Sequence, residues 1–218
     1  LQCYPGTARL TIQGTAWIPT ITVLPVSIKY NKGTSTFTDF IETFDVWERE
    51  LFSDLHMEVD CYEFLSLAES QILEESAIQL LTVSDGLDDS GAMTFGWIIA
   101  MPCGRRLARC GGPAYGPTGS SFRAEGYGFL SVSRFLVRLC EFCSITPSWS
   151  IQTDNQGLLT RIEACLPHEE PFPNISLLSN WDLTHKISQS LRTFQCKPTL
   201  QHVKGHQDSH TVYAALPL

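Results

Sequence analysis

From Leu81 onward the chain runs through strand-like and helix-like hydrophobic periods in an order that few folds accommodate. Three successive stretches read as strands: Leu81–Ser84, Ala92–Met101 after a turn at Gly86–Gly91, and Arg105–Cys110 after a turn at Pro102–Gly104. The Gly- and Pro-rich run Gly111–Gly119 then leads into a predicted helix from about Ser121 to Phe142. A strand at Ser148–Thr153 follows, and Asn155 is placed to cap a short helix reaching Cys165. A loop with prolines spans Pro167–Pro173, a helix covers Leu178–Phe194, and Thr199–Val203 reads as the last strand. The order is βββαβααβ. A hairpin meander followed by helical crossovers predicts an α/β fold with a mixed five-stranded sheet and flanking helices, because a strand that returns parallel across a helix cannot be joined by a tight turn. The first and fourth strands are then parallel neighbours, ending together in the crevice where α/β sheets bind ligands.

Three acids fall at the places this order makes significant. Asp85 closes the first strand in LTVSDG, Asp154 closes the fourth in WSIQTDNQG, and Glu125 stands in SFRAEGYG near the start of the long helix. Glu125 shares a helical face with Gly128, Phe129, Val132 and Leu136, so it lies on the side expected to face the sheet. Gly126 and Gly128 each cost about 1 kcal/mol relative to alanine in a helix, which points to close backbone approach there. Converging carboxylates repel one another and lose hydration unless a cation takes their oxygens. An all-oxygen set selects Mg²⁺ over the Zn²⁺ that Cys and His select, with Mn²⁺ as a substitute. A hard divalent cation held by Asp85, Glu125 and Asp154 is therefore expected.

The first 80 residues differ in texture. They carry 12 acids against 4 bases, whereas residues 81–218 carry 11 of each, so the net charge of −8 comes entirely from the front. Short β-rich stretches at Ala8–Ile12 and Trp17–Tyr30 precede a predicted helix with an apolar stripe through Phe37, Phe40, Ile41, Phe44, Leu51 and Leu55. That stripe requires a partner surface, either the second half or a neighbouring domain. A boundary is expected near Ala77–Leu81. The 43% apolar content supports a sizeable core, and the eight scattered cysteines read as reduced thiols of an intracellular, cytoplasmic or nuclear protein. No leader pattern and no 18-residue apolar run occurs, so no membrane partner is expected. The first residue is Leu1, as in a piece of something longer.

From Leu81 to about Asp208 the motifs resemble the ribonuclease H domain of retroelement reverse transcriptases: SDG with the GAMTFGWIIA strand, RAE, TDNQGLL, WDLTHKI and HVKGHQD. The stretch WERELF looks like the connecting segment between polymerase and nuclease. The resemblance implies a ribonuclease H-like fold that hydrolyses the RNA strand of RNA/DNA hybrids, joined to a reverse transcriptase domain in a parent polyprotein. It implies Asp85, Glu125 and Asp154 as metal ligands, His206 as proton shuttle, Gln156 as a hybrid contact and Arg123 as a further substrate-binding residue. The family's fourth carboxylate comes from a helix after the histidine loop, and the chain stops at Leu218 before any such helix. Asp208 is too near His206 to be taken as its substitute. Residues 1–80 are thus expected to be an acidic connecting segment, and 81–218 a ribonuclease H-like domain lacking its last helix. Arg105, Arg106, Arg109, Arg123 and Lys204 are candidates for a phosphate track, of modest and salt-sensitive affinity because the domain is charge-neutral.

Three other readings compete. Cys140 and Cys143 form a C-x₂-C, and His202, His206 and His210 recur every fourth residue, as zinc ligands can. The two cysteines lie in an apolar helix where thiols are ordinary filling, however, and His202 lies in a predicted strand. Integrases and transposases of the same fold also place aspartates on the first and fourth strands, but Ile187–Ser190 offers no carboxylate where those enzymes carry their third acid. The remaining alternative is a catalytically inactive relic or nucleic-acid-binding module that keeps the sheet.

Overall fold

The computed structural model describes residues 9–10, 16–17, 37–61, 63–64, 79–81, 92–100, 105–116, 119–143, 149–168, 174, 177–194 and 198–205. A two-strand pair, β1 (Arg9–Leu10) and β2 (Ala16–Trp17), runs antiparallel by itself. The remaining elements are α1 (Phe37–Glu42), α2 (Val46–Leu51), β3 (His56–Met57), β4 (Gln79–Leu81), β5 (Met93–Ala100), β6 (Arg106–Ala114), α3 (Ser121–Cys143), β7 (Ser150–Thr153), α4 (Gln156–Cys165), α5 (Trp181–Arg192) and β8 (Thr199–His202). No helix among the described residues is long and apolar enough to cross a membrane.

The chain is a mixed α/β structure whose main sheet has the order β3-β6-β5-β4-β7-β8. β5 is antiparallel to β4 and β6, while β4, β7 and β8 run parallel to one another. β4 shares only Leu81 with the predicted strand Leu81–Ser84, whose other residues lie outside the described ones, and it runs beside β7 with Leu81 level with Gln152. Among the described residues the sheet has six strands. One of them, β3, comes from the acidic front segment and pairs with the outer side of β6, His56 against Arg109.

Period-two alternation fixes β5. Met93, Phe95, Trp97 and Ile99 are buried on one face, and the Trp97 Nε1–H donates to Ser131 Oγ at 2.7 Å, seating α3 on that face. β6 continues past the expected end at Cys110 through Gly111, Gly112 and Pro113 to Ala114. A Cβ on Gly112 would stand 3.1 Å from the Phe95 ring, so glycine keeps the strands in register beneath that side chain. Pro113 lies beyond the stretch of β6 that pairs with β3, so its missing N–H breaks no bond in that ladder.

The apolar stripe of the front segment finds its partner within the chain. Phe40 meets Phe135 and Phe142 of α3, with ring centroids 5.8 and 5.3 Å away, and Phe64 reaches Phe135 and Trp149 at 6.2 and 6.0 Å. The single predicted helix is split in two here. Thr43 Oγ1 donates to the Phe40 carbonyl as α1 ends, and extended Asp45 starts α2, its N–H held by Glu48 Oε2 at 3.0 Å. Glu48 is fully buried and accepts from Arg134 Nε at 2.7 Å and from Arg138 Nη2 at 2.7 Å, both on α3. Residues on both sides of the expected 77–81 boundary therefore contribute to one core.

Candidate active site at the end of the parallel strands

The register of β4 and β7 fixes which sheet edge matters. β4 ends at Leu81, level with Gln152, and two residues further along β7's path stands Asp154. Asp85 follows Leu81 by four positions in the sequence and lies outside the described residues. Asp154 is half-buried at the strand exit. Its carbonyl oxygen lies 3.2 Å from His202 Nε2, which ties the ends of β7 and β8 together.

The side chain of Asp154 rests against the loop leaving β8. A Cβ on Gly205 would overlap Asp154 Oδ2 and stand 2.9 Å from Cγ, so any side chain there would force the carboxylate to move. His206 itself lies outside the described residues, but it is the residue after Gly205. Next to Asp154, Asn155 caps α4 as expected, its Oδ1 accepting from the Leu158 N–H at 2.8 Å. Gln156, the first residue of α4, is exposed, so its amide is open to a ligand lying over this edge.

Glu125 is half-buried in the second turn of α3, with Oε2 shielded from solvent, and its predicted face-mates Gly128, Phe129, Val132 and Leu136 are all buried. Close backbone approach occurs at Gly126. A Cβ there would stand 2.5 Å from Leu183 Cδ2 of α5.

Arg123 is engaged internally, not presented to a substrate. It is 2% exposed, donates from Nε to the Tyr115 carbonyl, and reaches Asn180 Oδ1 at 3.0 Å and Asp182 Oδ2 at 2.9 Å. Burial works against its charge, but the hydrogen bonds and charge of Asp182, with a smaller part from Tyr127, outweigh it and hold its pKa above the ordinary value. The phosphate track also changes. Arg106 is level with Ala100 and Gln79, the start of β4, so Arg105 and Arg106 sit toward the sheet end opposite Asp154, and Arg105 is paired with Glu63 at 2.9 Å. Lys204, exposed beside Gly205, remains near the site. Arg161 of α4 lies over the Phe122 ring at 4.6 Å, one helical turn from Glu125, and was not marked by any motif. Asp182 and Asn180 were likewise unassigned, although WDLTHKI contains the former.

Among the described residues no group of three or more metal-ligating side chains assembles; Asp85 and His206 are outside them. Of the thiols offered as zinc ligands, Cys143 is buried, which pushes its pKa up to about 12, and Cys140 is half-buried.

No protein-family model and no curated protein matches the chain. Among solved structures, the chain is similar to one described as the solution structure of the PFV RNase H domain, from a foamy virus, at 13% identity and a TM-score of 0.34, over 62% of this chain and 81% of that one.

Proposed function

We propose that this chain has a ribonuclease H-like fold and hydrolyses the RNA strand of RNA/DNA hybrids, as the nuclease part of an intracellular retroelement reverse transcriptase, with residues 1–80 as the connecting segment. The observation that carries the reading is the parallel pairing of β4 with β7, which brings the end of β4, four residues before Asp85 in the sequence, to the sheet end where Asp154 lies half-buried against Gly205. Glu125 adds a third carboxylate from α3, one helical turn from Phe122.

The donor chemistry fits a hard divalent cation, since the three acids supply oxygen alone. Asp85, Glu125 and Asp154 would hold two Mg²⁺, or Mn²⁺, which when bound would supply Lewis-acid activation for in-line phosphodiester hydrolysis. The chain's own groups have separate tasks. Exposed Gln156 contacts the hybrid backbone at the mouth of the site, His206 moves the proton between water and the leaving oxygen, and Arg161 and Lys204 draw phosphates toward this edge.

The test is cleavage of RNA/DNA hybrid labelled on each strand, with Mg²⁺, by the wild type and Asp154→Asn. The wild type should cut only the RNA strand, and the variant should lose about 10²-fold or more in rate. Hybrid binding without cleavage would overturn the hydrolase in favour of a binding module. Nicking or joining of double-stranded DNA would move the assignment to an integrase.

A further inference from the structure

We infer that the buried Arg123–Asp182 pair is a positioning device for Glu125, through which the first turn of α5 sets the aim of the carboxylate on α3. The inference rests on the proposed nuclease reading. It begins with the placement of Glu125 between two tethers. Two residues before it, Arg123 grips α5 through Asp182, with Nη2 to Oδ2 at 2.9 Å and Nη1 to Oδ1 at 3.2 Å. One residue after it, Gly126 lies so close to α5 that a Cβ would stand 2.5 Å from Leu183 Cδ2. Asp182 and Leu183 are consecutive, so one turn of α5 holds both flanks of Glu125.

The two tethers act differently. The Gly126–Leu183 contact sets how closely the helices approach, because two packed surfaces tolerate sliding but not compression. A fork-to-fork guanidinium–carboxylate pair has directional hydrogen bonds and resists sliding and rotation. Together they fix the height of the α3 start and its rotation about its own axis, and rotation is what swings Glu125 toward or away from the sheet edge.

Arg123 is itself over-determined. Its Nε donates to the Tyr115 carbonyl, Nη1 donates to Asn180 Oδ1 at 3.0 Å, and its Cζ lies 5.7 Å from the Tyr127 ring centroid. Gly116 leaves it room, since a Cβ there would stand 2.9 Å from Cζ. Asn180 adopts a left-handed conformation, φ 59°, immediately before α5, which presents its amide and the Asp182 carboxylate to the same guanidinium. A cation dedicated only to binding a ligand would leave some donors pointing outward; this one spends its donors on the end of β6 and the start of α5.

The experiment uses the 218-residue chain with the paired substitution Arg123→Met and Asp182→Leu. Removing both charges leaves no unpaired ion, so the fold is retained while the directional tie is lost. Four readouts are taken: melting temperature, amide hydrogen exchange over residues 121–128, Mn²⁺ affinity by electron paramagnetic resonance, and kinetics (kcat and KM) on RNA/DNA hybrid. The expected result is an unchanged melting temperature with faster exchange confined to that helix start, about tenfold or more weaker Mn²⁺ binding and a similar fall in kcat, with KM little changed. Asp182→Glu, which preserves the pair with a longer arm, should recover most of the loss. Should the paired variant fold less stably, Asn180→Ala, which removes one partner and leaves the ion pair, should show the same pattern in weaker form. Wild-type Mn²⁺ affinity and kcat in the paired variant would overturn the inference. Absence of both Mn²⁺ binding and hybrid cleavage in the wild type would overturn the nuclease reading instead, and unchanged exchange at residues 121–128 in the paired variant would then overturn the brace independently.

Discussion

Gly205 is where one atom separates a supporting loop from a displaced carboxylate. Because a Cβ would overlap Asp154 Oδ2, Gly205→Ala must push the carboxylate off the strand exit, while the residue's partly exposed position keeps the cost to folding small. Hybrid cleavage should fall about 10²-fold, the scale expected of a misplacement near 1 Å. Melting should shift by no more than a few degrees. A variant with wild-type cleavage would remove Asp154 from the site. The positions of Asp154 after a strand and of Glu125 near a helix start were legible because hydrophobic periodicity delimits both elements, while Asp85 lies outside the described residues. The internal pairing of Arg123 was not legible. An arginine in a motif beside an acid reads as an anion ligand, and its true partner Asp182 is 59 residues away, brought in only by the packing of α3 on α5. Arg161 was missed for the same reason: nothing along the chain shows that Phe122 lies beneath it.

At the scale of elements, the contact that joins the front of the chain to the rest is ionic at its centre and aromatic around it. Glu48 of α2 is fully buried between Arg134 and Arg138, and its Oε2 also receives the Asp45 N–H that begins the helix. Arg138 has further acceptors in Asp45 at 2.9 Å and Glu141 at 3.3 Å, whereas Arg134 has the Trp47 face at 5.5 Å as its other contact from α2. Glu48→Ala therefore strands a nearly buried cation and should cost about 3–5 kcal/mol, read as a lower midpoint in urea denaturation. Replacing Glu48 and Arg134 together with apolar residues should cost less, and an equal or greater loss in the double variant would deny the pairing its importance. The amphipathic stripe showed that these helices need a surface, but it did not show which surface, and the docking depends on α3 being apolar on several sides. The break between α1 and α2 was encoded in Asp45 and Glu48 three residues on, a capping signal obscured by the continuing hydrophobic period. β3 was illegible because a strand of two residues has no period, and only pairing with β6 defines it.

At the scale of the whole molecule, the core formed by the described residues crosses the composition change that the sequence places near residue 80, and three cysteines mark that core from different sides. Cys61 comes from the front segment, Cys110 from β6 and Cys143 from the end of α3, with Cys143 Sγ 4.0 Å from the Cys61 carbonyl. Burial pushes all three thiols up to about 12, from an ordinary value of 9.0. The sign of the linkage follows from these shifts. Between pH 9 and about 12 the unfolded chain releases thiol protons that the folded chain retains, so the folded state binds more protons and stability falls as pH rises. The thiol contribution is fully present below pH 9 and disappears through the upper end of that window. Urea midpoints measured from pH 8 to 11 should decline, and the decline should be shallower in a variant carrying Cys61→Ala, Cys110→Ala and Cys143→Ala, even though its stability at pH 8 is lower from the lost packing. Because Cys61 and Cys143 belong to opposite sides of the expected boundary but share one core, the loss should be a single transition seen equally by Trp47 in the front and Trp149 beside the parallel strands. Two separate transitions, or a slope unchanged by removing the thiols, would mean that the front and the sheet do not fold as one unit.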